Sequence, residues 1–133
     1  MDSRTREFVR NRAGDLCEYC RLPQSAAPYL RFHIEHIVAL QHANDNSRSN
    51  LALACPDCNR HKGPNIATIF PESDQLIRLF DPRNDNWFQH FYVQQGRIEG
   101  LSVVGKATAR LLQMNSEDRV VIRLELIEQG LFS

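Results

Sequence analysis

Cys17-Glu-Tyr-Cys20 and Cys55-Pro-Asp-Cys58 are two C-x-x-C turns separated by thirty-four residues, and between them run Phe32-His-Ile-Glu-His-Ile-Val38 and Ser49-Asn-Leu-Ala-Leu-Ala54. One C-x-x-C is weak evidence of anything, but two identical pairs are a strong metal signal, because each turn puts two sulfurs on one side of an ion and two turns complete a tetrahedron. Free buried cysteines and a thioredoxin-like redox pair are the bland alternatives. The spacing predicts a closed structural Zn²⁺ site made of Cys17, Cys20, Cys55 and Cys58. Such a site has no open position, so its job is to fix the fold. The gap exceeds that of a compact zinc ribbon, so the clamp would close the base of an inserted unit and not a bare loop.

Working outward, Leu30 to Leu40 is rich in apolar and β-branched residues, the polar run from Gln41 to Asn50 supplies turn chemistry, and Leu51-Ala-Leu-Ala54 is apolar again. This predicts two strands joined by a loop. Pro56 suits the first turn of a helix that runs through Asn59 and Lys62 until Gly63-Pro64 stops it. The order is therefore β, β, α. Upstream, residues 4 to 13 read as a short exposed helix closed by Gly14. Downstream, Thr68-Ile-Phe70, Gln75 to Phe80, Trp87 to Val93 and Arg97 to Val104 suggest hairpins, with Gln95-Gly96 as a turn. Helices are expected from Lys106 to Met114 and from Glu117 to about Gln129, with Ser116 as N-cap and Val121, Leu124 and Ile127 as a partial apolar stripe. The fold class is α+β, with residues 14–66 as a clamped core and 67–133 as an extension of one single domain, 1–133.

A chain of 133 residues with 42% hydrophobic and 24% charged residues is ordinary for a globular protein. No apolar run approaches a membrane span, and the N-terminus lacks the apolar stretch of a secretory signal, so a cytoplasmic location with reduced cysteines is the default expectation. The formal net charge is zero, which counts against a sequence-blind electrostatic grip on nucleic acid. Nearly all the basic residues are Arg, however, whose planar fork suits phosphate oxygens.

The residues between and around the cysteine pairs resemble the HNH endonuclease family in its zinc-bound form, a ββα-metal finger lodged between two knuckles. The resemblance implies hydrolysis of DNA phosphodiesters, leaving a 5′-phosphate and a 3′-hydroxyl. Glu35-His36 stands where the family has an acid followed by His, Asn50 opens the second strand, and Cys58-Asn59-Arg-His61-Lys62-Gly63 offers the helix-borne motif. By that resemblance His36 is the general base that takes a proton from water, Glu35 and Asn59 ligate one Mg²⁺ or Mn²⁺, Asn50 holds the loop that positions His36, and His61 is the substitute ligand. The residue types suit the chemistry: imidazole titrates near neutrality, and a carboxylate with an amide oxygen suits a hard cation that can stabilise a phosphate. Adjacent strand residues point to opposite faces, so Glu35 and His36 can share one phosphate only if the strand bends or ends there. Two departures stand out. The acid is Glu where Asp is commoner, and the loop reads His42-Ala-Asn44 where a Gly-Gly turn is frequent.

Each of these residues has a structural reading as well. Asn50 suits a strand-entry turn and Asn59 a decorated helix. His33 lies on the strand face of Glu35, and His42 sits in the polar loop. Beyond Ile66 the similarity is weaker: Asp81-Pro82-Arg83 and Trp87-Phe-Gln-His90-Phe91 resemble C-terminal extensions of stand-alone bacterial HNH proteins. Trp87 suits base stacking but is read as core, Arg83 is an open candidate for phosphate, and His90 is a candidate for a place near the cleft. The expected partner is DNA, with no membrane; homodimerisation is left open as the means of cutting both strands. The competing functions are a non-catalytic zinc module that binds nucleic acid or protein, and a degenerate nuclease kept for binding.

Overall fold

The computed structural model describes residues 1–132, so the last residue of the 67–133 extension lies outside the described residues. Helix α1 (Ser3–Ala13) begins at Asp2, whose side chain accepts the Thr5 N–H at 2.8 Å, and ends at Gly14 in the left-handed conformation that glycine adopts without strain. Its one buried residue is Val9. The Cys17–Cys20 turn follows, closed by Arg21 N–H to Cys17 O at 2.8 Å and Cys17 N–H to Leu22 O at 2.9 Å.

Strand β1 (His33–His36) pairs antiparallel with β2 (Leu51–Ala54), with Glu35 opposite Ala52 and His36 opposite Leu51. The strand expected over Leu30 to Leu40 is thus only four residues long. Side chains take over its backbone at both ends. Gln24 accepts the Phe32 N–H and donates to Leu30 O, while Lys62 donates to Ile37 O and Asn50 bonds both the N–H and the C=O of Val38. Helix α2 (Pro56–Lys62) has Pro56 in its first turn and Gly63 at its end, as the sequence predicts, and Cys55 as its cap.

The second half begins with the hairpin β3 (Ala67–Phe70) and β4 (Gln75–Arg78). Trp87 to Val93 does not form one strand: the Asn86 side chain accepts the Phe88 N–H at 3.0 Å and starts a helical turn, α3 (Trp87–His90), which carries Trp87 inward before β5 (Phe91–Gln94) begins. β5 pairs with β6 (Arg97–Gly100) through a turn at Gln95-Gly96, both at positive φ. The strand expected to reach Val104 stops at Gly100, because Ser102 Oγ accepts the Gly105 N–H and starts α4 (Val103–Leu111) earlier than the expected Lys106. Helix α5 (Glu117–Glu128) begins where predicted, although Ser116 makes no side-chain capping bond. Its stripe is inverted: Val121, Leu124 and Ile127 are exposed, whereas Arg119, Arg123 and Leu126 are buried.

A continuous apolar cluster joins the two halves, from Val9, Tyr19 and Phe32 through Leu51 and Leu53 to Phe80, Trp87, Phe91, Ile98, Leu112 and Met114. Trp87 belongs to it, and its Nε1 donates to Tyr19 O at 2.7 Å, tying α3 to the first knuckle. Among the described residues no helix is long and apolar enough to cross a membrane.

Candidate metal centre and catalytic cleft

The four cysteines converge. Their Sγ atoms all lie within 4.8 Å of one another, every one is buried, and Cys20 Sγ stands 3.7 Å from Cys55 Sγ. A tetrahedral ion with sulfur ligands at ~2.3 Å places its sulfurs ~3.8 Å apart, so this donor set fits a thiophilic divalent ion in spacing and in chemistry. Backbone N–H groups of Cys20 and Cys58 point at the sulfurs of Cys17 and Cys55. Burial pushes the Cys17 and Cys58 thiols up, while bonds from the other three cysteines hold Cys20 down.

Arg119, which sequence reasoning missed, completes the cluster from α5. Its Nη2 donates to Cys58 Sγ at 3.0 Å and reaches Cys55 Sγ at 3.8 Å, and its Nη1 donates to Leu112 O at 2.8 Å. Arg123, one turn later, donates to Gly96 O and Met114 O. Neither pairs with a carboxylate among the described residues. Burial disfavours the Arg119 cation, but the cysteine sulfurs more than offset this and its pKa is raised. The one available signal was the i, i+4 spacing of two arginines amid Val and Leu.

Glu35, His36 and Asn59 line one open cleft, with Ile34 and the Gly63-Pro64 turn on its walls. β1 ends at His36, which lets neighbouring residues of the strand reach the same cleft. His36 is half-buried, and its Nε2 is 2.8 Å from Asn46 Oδ1. With that oxygen as acceptor the ring proton sits on Nε2 and the Nδ1 lone pair is left to take a proton.

Glu35 is buried at 7% exposure. One oxygen accepts the Tyr19 hydroxyl and the other lies 3.1 Å from Lys62 Nζ. Burial raises its pKa, and Lys62 and Tyr19 offset only part of that. Tyr19 and Lys62 are further residues that sequence reasoning missed. Lys62 follows Cys58 by four positions, hence shares its buried helix face.

Asn50 is buried and clamps the loop after β1: its amide donates to Val38 O and Asp45 O, each at 2.9 Å, and its oxygen accepts the Val38 N–H. His61 is not among the cleft's lining residues and touches Arg60. His33 is exposed, and His42 bonds Pro64 O at 3.0 Å, linking the loop to the end of α2. Arg83 pairs with Glu18, and His90 lies between Ser102 and Asp85, away from the cleft.

Four converging cysteines at the base of an antiparallel strand pair and a short helix, with a Glu-His pair at the strand's end, define a ββα unit whose cysteine cluster fits a metal ion. Residues 17–65 match the family model for HNH endonuclease. Neither a curated protein nor a solved structure matches the chain.

Proposed function

We propose that this protein is a metal-dependent endonuclease that hydrolyses DNA phosphodiester bonds, with Zn²⁺ held by Cys17, Cys20, Cys55 and Cys58 as a structural ion. The observation that carries the reading is the meeting of Glu35, His36 and Asn59 in one cleft within the segment that matches the HNH family.

The cleft's donors suit Mg²⁺ or Mn²⁺ in kind. A carboxylate has about four lone-pair sites; Tyr19 and Lys62 occupy two on Glu35, and the rest, with the Asn59 amide oxygen, make an oxygen donor set for a hard cation. His61 is the substitute ligand on the same helix. When bound, such an ion supplies charge stabilisation to the phosphate and the departing oxygen. His36 takes the proton of the attacking water at Nδ1, while Asn46 holds the ring and Asn50 holds the loop that carries Asn46. The products are a 5′-phosphate and a 3′-hydroxyl. Cutting both strands calls for a second site, for which a homodimer is the simplest source.

Supercoiled plasmid incubated with Mg²⁺ or Mn²⁺ should be nicked by the parent, and His36→Ala should slow this by ~10²- to 10⁴-fold, the usual contribution of a general base. Inactivity of the parent, or undiminished cleavage by His36→Ala, would falsify the assignment. The second reading, a zinc module that binds without cutting, is favoured by the engagement of both Glu35 oxygens. It predicts that His36→Ala and the parent bind DNA equally and that neither cleaves it.

A further inference from the structure

The neutral net charge hides a sorting of charges. Every arginine in the ion pairs of the described residues lies at or beyond Arg60: Arg60 with Asp57, Arg78 with Asp85, Arg83 with Glu18 and Arg97 with Glu99. None of Arg4, Arg6, Arg10, Arg12, Arg31 and Arg48 makes a close ion pair with a carboxylate, although Asp15, Glu18 and Asp2 lie near enough to Arg10, Arg12 and Arg48 to be felt electrostatically. Four of these six are on α1, which holds a single acid, Glu7. All but the half-buried Arg10 are exposed.

They are also held together. Phe8 lies between two guanidinium groups, Arg48 at 4.1 Å and Arg12 at 5.1 Å from its ring centre, and Arg4 is one turn before Phe8 on the same helix face. Arg12 donates to Arg48 O at 2.9 Å and to Leu51 O at 2.6 Å, fastening α1 to the segment that leads into β2. Along a second row, Arg10 donates to Phe32 O, leaves its buried Nε without a partner, and is disfavoured first by burial and then by the neighbouring Arg31 cation. Like charges gathered in this way cost free energy that a polyanion would relieve.

The position matters as much as the charge. Leu51 is the residue paired with His36, and Arg48 lies between Asn46, which holds the His36 ring, and Asn50, which holds the loop. The arginine face therefore begins at the rim of the strand pair that ends in His36. At the other extreme of the sequence, α5 shows Glu117, Asp118, Glu125 and Glu128 to solvent and turns Arg119 and Arg123 inward.

We infer that α1, with Arg31 and Arg48, forms a backbone-binding face for duplex DNA, on which phosphates flanking the scissile bond rest while His36 meets the bond itself. The inference builds on the proposed nuclease reading but is read out by binding alone. Phosphate contacts release counterions, so log K falls with log salt by ~0.9 per phosphate neutralised, and these contacts carry position and not sequence.

The test uses the full zinc-loaded chain, a labelled duplex of mixed sequence, and no added Mg²⁺ or Mn²⁺, so that binding is measured without cleavage. The expected result is salt-dependent binding whose slope drops by about one for Arg6→Gln, about one for Arg48→Gln, and about three for Arg4→Gln/Arg6→Gln/Arg48→Gln. Arg97→Gln, in a paired arginine elsewhere, should leave slope and affinity unchanged. Because Arg4 and Arg6 are exposed and bond nothing that holds the fold, Arg4→Gln/Arg6→Gln alone decides the matter if Arg48→Gln disturbs the loop. Parent affinity and slope in that pair, an equal loss in Arg97→Gln, or a parent that does not bind duplex at low salt would each overturn the inference. Loss of plasmid cleavage with binding intact would instead sink the catalytic reading and leave this face standing.

Discussion

Lys62 has 1% of its side chain exposed, and its ammonium reaches Glu35 Oε2 at 3.1 Å, Ile37 O at 2.9 Å and His36 O at 3.4 Å. It therefore grips the carboxylate of Glu35 and the backbone that follows it, which is what stops β1 at His36 and turns the chain toward the cleft. Removing one partner from a buried ion pair leaves the other uncompensated and costs about 3–5 kcal/mol, whereas replacing both with apolar groups is often near neutral. Lys62→Met should accordingly lower unfolding free energy by that amount in urea titration, and Glu35→Leu/Lys62→Met should recover most of it. A double-variant loss equal to the sum of the Lys62→Met and Glu35→Leu losses would show that the pair has no coupling. Helical spacing put Lys62 on the inner face of α2, but the acid it meets depends on strand register, which sequence pattern does not contain. Asn50 was more legible: an Asn entering a strand from a polar loop has donors and acceptors for that loop's backbone, and three of its bonds go there.

At the scale of the element, α5 is where pattern misled. Val121, Leu124 and Ile127 form a partial helical stripe, and a stripe normally faces the core; here Arg119 faces it to reach the cysteine sulfurs, and Arg123 to bond the carbonyls of Gly96 and Met114. A divalent ion with four thiolates would carry two net negative charges, and the Arg119 guanidinium, bonded to Cys58 Sγ, would offset one of them. Hydrogen bonds to charged groups contribute about 1.5–3 kcal/mol, so Arg119→Met should weaken zinc binding, read by chelator competition, by ~10- to 100-fold, with Arg119→Lys in between. The same variant should raise amide hydrogen exchange across residues 117–128. Unchanged zinc affinity would mean that Arg119 serves only the carbonyls of Leu112 and Gln113. α2, by contrast, was readable to the residue, since Pro56 and Gly63 act through backbone geometry alone and need no tertiary partner.

For the whole molecule, the apolar cluster passes from Val9 and Phe32 through the knuckles to Leu112 and Met114 without a break. Chelation, or Cys55→Ser, should therefore cost both halves their structure in one transition, and thermal melts followed by far-ultraviolet circular dichroism should show a single, lowered midpoint. Two separated transitions would count against that coupling. The first half was legible because metal spacing and caps are local chemistry. In the second half, short strands and turns compete closely: Asn86 and Ser102 each tipped an expected strand into a helical turn through one side-chain bond. Charge was the least legible property, since a sum over the chain is blind to which arginines find carboxylates.

Trp87, the sole tryptophan, donates its indole N–H to the carbonyl of Tyr19, between the two cysteines of the first knuckle, and lies under the Arg21 guanidinium at 5.4 Å. The protein thus carries a built-in optical probe of its four-cysteine cluster. Opening the clamp frees the indole from that carbonyl and admits water, so its emission should move to the red in step with zinc release, and the clamp can be titrated by fluorescence without any label.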